Sequence, residues 1–232
     1  MENNLEIISQ SATVPATATI TVGKRQKSDS FTILQTILLI LLTITISTGG
    51  WYVVGKKYVW IDIDMQRANQ QLEFFQQKVL SEPNNASARV ELGYTYYVKG
   101  QNPEAVKEFN QALIIEPKNF DAYYNLSLVL LDEKRYDEAL ANLSKALELS
   151  PREYKAHLQT GIAYRNLKMY DEALESLNQA NKLMPANVEV IYQVGMVAEA
   201  KGDKEGAITV YKEALSYDPL HKQAVEALER LK

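Results

Sequence analysis

Tyr136-Asp-Glu-Ala-Leu-Ala-Asn-Leu-Ser-Lys-Ala-Leu-Glu-Leu-Ser-Pro151 is followed 34 residues later by Tyr170-Asp-Glu-Ala-Leu-Glu-Ser-Leu-Asn-Gln-Ala-Asn-Lys-Leu-Met-Pro185. The spacing extends in both directions, because Pro83, Pro117, Pro151, Pro185 and Pro219 all keep it. A fixed period of this length points to stacked helix–turn–helix units. Units that begin three residues after each proline cover 86–119, 120–153, 154–187 and 188–221. Position 20 is then Ala105, Ala139, Ala173 and Ala207, and position 27 is Ala112, Ala146, Ala180 and Ala214. Position 8 is Gly93, Ser127, Gly161 and Gly195, small each time. Position 24 is Phe109, Leu143, Leu177 and Tyr211, large each time.

Each slot has a physical reading. Small residues at positions 8, 20 and 27 let two helix backbones approach, and a larger side chain there would cost about 1–3 kcal/mol in over-packing. The large residue at position 24 fills the space between helices. Proline at position 32 cannot continue a helix, so it stops one and turns the chain into the next. Asn85, Asn119 and Asn187 follow a proline by two residues, where a side-chain oxygen can cap the next helix. Asp137-Glu138 and Asp171-Glu172 put negative charge at a helix N-terminus, where the dipole favours it. Residues 222–232, with Ala224, Val225, Ala227, Leu228 and Leu231 apolar, predict a capping helix that covers the last unit.

Residues 86–221 resemble the tetratricopeptide repeat (TPR) family in these alanines, in the small residue at position 8, and in the Tyr-Asp-Glu-Ala-Leu segments that open the second helix. The resemblance implies an all-α chain built as an α-solenoid of four TPR units. Two slots depart from the family pattern. Position 4 is aromatic at Tyr123 but is Arg89, His157 and Ile191 elsewhere, and position 11 is Tyr96 and Tyr164 but Leu130 and Ala198 elsewhere. These departures predict slightly weakened units.

Upstream of the repeat the composition changes. No residue between Asp29 and Lys56 is ionised, and Ile33–Val54 is nearly continuous in apolar residues. As a helix these residues would span about 33 Å, enough for a hydrocarbon core of about 30 Å. Trp51, Tyr52, Tyr58 and Trp60 crowd its C-terminal side, where aromatic rings favour the headgroup level. The reading is a single-pass transmembrane helix over 31–55, after a flexible tail over 1–30 and before a juxtamembrane, N-capping helix over 56–85. The apolar run exceeds the ~7–15 residues of a signal-peptide core, although Ser47-Thr48-Gly49 offers small residues of the kind a signal peptidase cuts at. A buried soluble helix would need a second apolar segment to cover it. The flanks offer Lys24, Arg25 and Lys27 against Lys56, Lys57 and Arg67. The compact N-terminal cluster predicts a cytoplasmic N-terminus and an extracytoplasmic repeat domain. Met65, Ala68, Leu72, Phe75 and Val79 form a helical stripe in the juxtamembrane segment. It suits either a helix capping the first unit or a short coiled-coil seam between two copies. Phe75 falls on position 24, whereas Gln71 and Lys78 occupy the two alanine slots, so this is half a repeat.

The 232 residues carry 25 Lys and Arg against 29 Asp and Glu, with no cysteine and two histidines. Cysteine's absence excludes disulfides, thiolate metal sites and a cysteine nucleophile. The balance is not basic enough to suggest nucleic acid. Phosphate-binding glycine loops and common hydrolase motifs are missing, so the sequence gives no reason to expect an enzyme, a metal or a cofactor. His157 reads as a packing residue and His221 as a solvated one. Asn85-Ala-Ser, Asn125-Leu-Ser and Asn142-Leu-Ser match the glycosylation pattern by chance, two of them inside predicted helices.

The resemblance implies a concave groove lined by first helices. Tyr94, Tyr97, Tyr124, Asn125, Leu128, Gln159, Ile162, Tyr192 and Gln193 are the residues expected there. Tyrosine supplies contact area with a polar tip, and amides can bond the backbone of an extended peptide or the polar edge of a docked helix. One TPR subclass grips a C-terminal carboxylate, but only Asn125 and Lys155 match its residues, so that role is not expected. The expected function is a membrane-anchored scaffold that binds an apolar or amphipathic segment of a protein partner. The alternative is a homo-oligomer assembled through the juxtamembrane or end helix.

Overall fold

The computed structural model describes residues 60–231, with side chains from Gln66 onward. They form one compact unit of ten helices. The first is α1 (Trp60–Ser81), followed by α2 (Ala86–Val98), α3 (Asn102–Ile115), α4 (Phe120–Asp132) and α5 (Tyr136–Leu149). Then come α6 (Tyr154–Asn166), α7 (Tyr170–Leu183), α8 (Val188–Ala200), α9 (Lys204–Tyr217) and α10 (Lys222–Arg230). Helices α2 to α9 pack as hairpin pairs, each pair contacting the next through its second helix, and α10 closes on α9. Among the described residues no helix is long and apolar enough to cross a membrane. The segment 31–55 read as a transmembrane helix, with the tail 1–30, lies outside them.

The small slots do what their size suggests. All eight alanines at positions 20 and 27 are fully buried, as are Phe109, Leu143, Leu177 and Tyr211. A Cβ added at Gly93 would lie 2.7 Å from the Phe109 ring, and one at Gly195 would lie 2.5 Å from the Tyr211 ring. The helices of one hairpin therefore approach as closely as a missing side chain permits. The core is a string of neighbouring clusters, such as Phe109–Leu126–Val129 in the first half and Leu158–Leu177–Val197 in the second. Each unit thus depends on its neighbours for burial.

The turns are made locally. Lys99–Gln101 and the equivalent links within the other pairs place position 15 at positive φ, at Gly100, Lys134, Lys168 and Gly202. Between pairs, Asn85, Asn119 and Asn187 accept from the backbone N–H of Ala88, Ala122 and Val190 at 2.9, 2.9 and 3.1 Å. These are N-caps that satisfy an otherwise orphaned donor. The third unit has Glu153 in this place, reaching only Lys155 at 3.3 Å.

Two expectations change. The aromatic slot at position 4 is not merely weakened in two units. Arg89 donates to the Pro83 carbonyl at 3.0 and 3.1 Å and pairs with Glu108 at 2.7 Å, and His157 Nε2 lies 3.0 Å from the Pro151 carbonyl. A polar residue here ties the unit to its own entry turn. His221 is not solvated, because its ring packs 5.2 Å from the Tyr192 ring and its Nδ1 accepts from Ala224 N–H at 3.3 Å, capping α10.

Helix α1 packs on α2. Ala68 and Phe75 face Tyr94, Thr95 and Val98, and Gln76 donates to the Tyr96 hydroxyl at 3.0 Å. Lys99 donates to Asn69 across the same contact. The described part of the Met65–Val79 stripe is therefore turned to the first unit, while Phe74 beside it is exposed. At the other end Ala224 and Ala227 of α10 are fully buried against the fourth unit.

Candidate functional site

The first helices of the pairs meet one another directly, α2 with α4, α4 with α6 and α6 with α8. No comparable contacts join α3, α5, α7 and α9 among the described residues. A stack that is close on one side and open on the other curves, with α2, α4, α6 and α8 on the concave side.

Position 9 of these helices sets a column of apolar side chains, Tyr94, Leu128, Ile162 and Met196. Tyr94 is 45% exposed and the other three are half-buried. Val98, one turn beyond Tyr94, is also exposed. Asn125 joins Tyr94, Val90, Glu91 and Asp121 around a hollow of about 320 Å³ between α2 and α4. Tyr97 donates its hydroxyl to Asp132 at 2.7 Å, and burial together with this carboxylate pushes its pKa well up. Its proton is thus held at any physiological pH. Tyr124 stacks on Phe120 with ring centroids 5.8 Å apart, and its hydroxyl meets the Gln159 side chain. Burial first, and then the Glu153 carboxylate, raises its pKa.

The nine expected residues therefore divide. Tyr94 and Asn125 share the hollow between α2 and α4, Tyr97 reaches across to Asp132, Tyr124 meets Gln159, and Leu128 is half-buried. Ile162 is half-buried against the cluster around Leu158 and Val190. Tyr192 packs 5.6 Å from the Tyr211 ring and against His221. Gln193 departs furthest from the expectation. It is only 8% exposed, its Nε2 donates to Glu189 at 2.7 Å, and its Oε1 is buried without a partner. Tyr192 stands at the closing end of the stack, where α10 and a Glu199–Tyr211–Arg230 network cover the fourth unit. Arg230 reaches Glu199 at 2.8 Å and Tyr211 donates to Glu199 at 2.7 Å. The sequence reading missed the hollow of about 300 Å³ that Phe75 and Gln71 of α1 form with Glu91, Tyr94, Thr95 and Val98. Its only sequence signal is Phe75 standing in repeat register ahead of the first full unit.

Comparisons with known proteins agree with this architecture. A model described as TPR repeat matches residues 93–132, and models described as tetratricopeptide repeat match 119–186 and 188–219. No curated protein matches the chain. Among solved structures, TTC0263, a thermophilic TPR protein of Thermus thermophilus, superposes with a TM-score of 0.62 at 22% identity, covering 73% of this chain and 92% of that one. MamA of Desulfovibrio magneticus RS-1 gives 0.62 at 22% identity, with 72% and 97% covered. YrrB, described as a TPR protein with an unusual peptide-binding site, gives 0.60 at 24% identity, with 77% and 96% covered. At these identities the likeness is one of fold. The period, the buried alanine slots, the paired helices and the three matching models together place this chain in the tetratricopeptide repeat family.

Proposed function

We propose that the protein is a membrane-anchored scaffold whose concave face binds an apolar or amphipathic segment of a protein partner. The observation that carries the reading is the apolar pair Tyr94 and Leu128 on α2 and α4, with the Asn125 and Gln159 amides on the neighbouring positions. Apolar side chains set beside amides suit an amphipathic helix or an extended peptide. The relative YrrB, with its described peptide-binding site, supports peptide capture as a use of this fold. The anchor is the apolar segment 33–54, which restricts the search to the membrane surface and raises the effective concentration of membrane-bound partners. The basic cluster Lys24, Arg25 and Lys27 favours a cytoplasmic N-terminus with the repeats on the far side.

Tyr94 and Leu128 are the residues to test, since neither belongs to the buried clusters. Photocrosslinking from these two positions in intact cells should trap one partner, and Tyr94→Ala with Leu128→Ala should abolish the product while helical content stays. Equal yield from Lys212 on α9 would remove the groove assignment. Protease protection in sealed membranes tests the orientation, and an accessible repeat domain on the cytoplasmic side would reverse it.

A further inference from the structure

The second helices carry a cavity of their own. Between α5 and α7, floored by α6, lies a space of about 510 Å³, within the size range of ligand clefts (roughly 300–1,000 Å³). Leu140, Leu147 and Tyr164 supply its apolar surface, and Glu148, Glu172 and Glu175 supply its charge. No lysine or arginine lines it. Glu172 and Glu175 have no ion-pair partner among the described residues, and Glu148 pairs with Lys145 at 2.9 Å on the exposed face of α5.

The repeat is its own control, because each lining residue has a counterpart 34 residues away. The floor is formed by His157 and Thr160, where the preceding unit has Tyr123 and Leu126 and the following one has Ile191 and Val194. Leu126 is buried in its unit, whereas Thr160 is half-buried and donates to the Ala156 carbonyl at 2.8 Å. His157 is drawn to the Pro151 carbonyl. Smaller and polar residues thus stand where neighbouring units have apolar ones. The charge is equally local. Glu148, Glu172 and Glu175 correspond to Ile114, Glu138 and Ala141 before, and to Lys182, Gly206 and Thr209 after. Glu138 is bound by Arg135 at 2.7 Å. Glu172 and Glu175, without ion-pair partners among the described residues, and Glu148, paired with Lys145, line this one hollow together.

We propose that this α5–α7 cleft, outside the groove, docks a basic segment of a partner protein, with lysine or arginine side chains against Glu148, Glu172 and Glu175 and their aliphatic stems on Leu140, Leu147 and Tyr164. Long cationic side chains have this combination of apolar stem and charged head. The choice of occupant rests on charge complementarity, since Glu172 and Glu175 are unpaired among the described residues and no lysine or arginine lines the cleft. It is independent of the groove reading.

The test uses the full chain in neutral detergent and a fluorescein-labelled probe, acetyl-Leu-Lys-Lys-Leu-Leu-Lys-Lys-amide, followed by anisotropy. Glu172→Gln with Glu175→Gln should weaken binding at least tenfold. His157→Tyr with Thr160→Leu refills the floor with the preceding unit's residues, leaves the three carboxylates in place, and should abolish binding. Glu104→Gln with Glu213→Gln removes the same charge elsewhere and should leave affinity unchanged. No saturable binding by the wild type overturns the proposal. Equal losses from the two glutamate pairs overturn it too, since the attraction would then be one of net charge. If the refilled variant loses its helical content, the Glu172 and Glu175 pair still decides.

Discussion

Replacing Gly93 by serine examines the idea that position 8 and position 24 are chosen as a pair. An added Cβ would lie 2.7, 2.9 and 3.1 Å from three carbons of the Phe109 ring. Carbon contacts are optimal near 3.5–4.0 Å, so the ring must retreat by roughly 0.8 Å. Phe109 is fully buried within the first core cluster, so its retreat must displace packed neighbours. Over-packing of this kind costs about 1–3 kcal/mol, and relief of glycine's helix penalty returns about 0.5 kcal/mol. The expected net loss is about 1–2 kcal/mol. The second unit shows a compatible pairing, with Ser127 and Leu143 both fully buried and the Ser127 hydroxyl donating to the Tyr124 carbonyl. Phe109→Leu alone should cost about 1–2 kcal/mol through lost contacts. Together, Gly93→Ser and Phe109→Leu should lose less than the sum, with a coupling of about 1 kcal/mol or more. The assay is urea unfolding of the full chain in detergent, followed by circular dichroism at 222 nm for all four members of the cycle. Additivity within about 0.5 kcal/mol would refute the pairing and leave position 8 as a matter of helix propensity alone.

Two further outcomes follow from the turns and the closed end. Glu153→Asn should raise stability by about 0.5–1 kcal/mol, because asparagine reaches the third N–H of the helix where glutamate reaches only Lys155, and Asn119→Ala should cost about 1 kcal/mol; thermal melts of both variants check the opposite signs. Arg230 first, and then the Tyr211 hydroxyl, hold the Glu199 carboxyl below its ordinary 4.5. A carboxylate lowered by folding adds stability above its ordinary pKa and loses it as pH falls toward the folded value. Glu199→Gln should therefore cost about 1 kcal/mol at pH 7, and the gap from wild type should close below about pH 4.5; a gap of constant size in urea titrations from pH 7 to pH 3 would contradict this.

The repeat was legible because its constraints are local and recurrent. Gly93, Ala105, Phe109 and Ala112 are recognised by size alone, and a period of 34 residues places them on facing helices wherever the chain begins. The outer columns of the groove, Tyr94, Asn125 and Leu128, follow from the same period. Tyr192 and Gln193 hold the same slots as Tyr124 and Asn125 but not the same surroundings. The fourth unit is followed by a shorter closing helix, with His221 and Arg230 supplying contacts that the inner units lack. A periodic pattern cannot register the end of the stack, since it treats every unit alike.

The sequence by itself determined the helical units, their boundaries at the prolines, the asparagine caps and the small-against-large slots, because each of these depends on residues close in the chain or one period apart. Only the tertiary structure decided that Arg89 and His157 tie back to Pro83 and Pro151, that Phe75 turns toward the first unit, and that residues of α5, α6 and α7 line one hollow. Those outcomes depend on how side chains from three helices share one volume, and a size or a charge read singly along the chain does not specify that sharing.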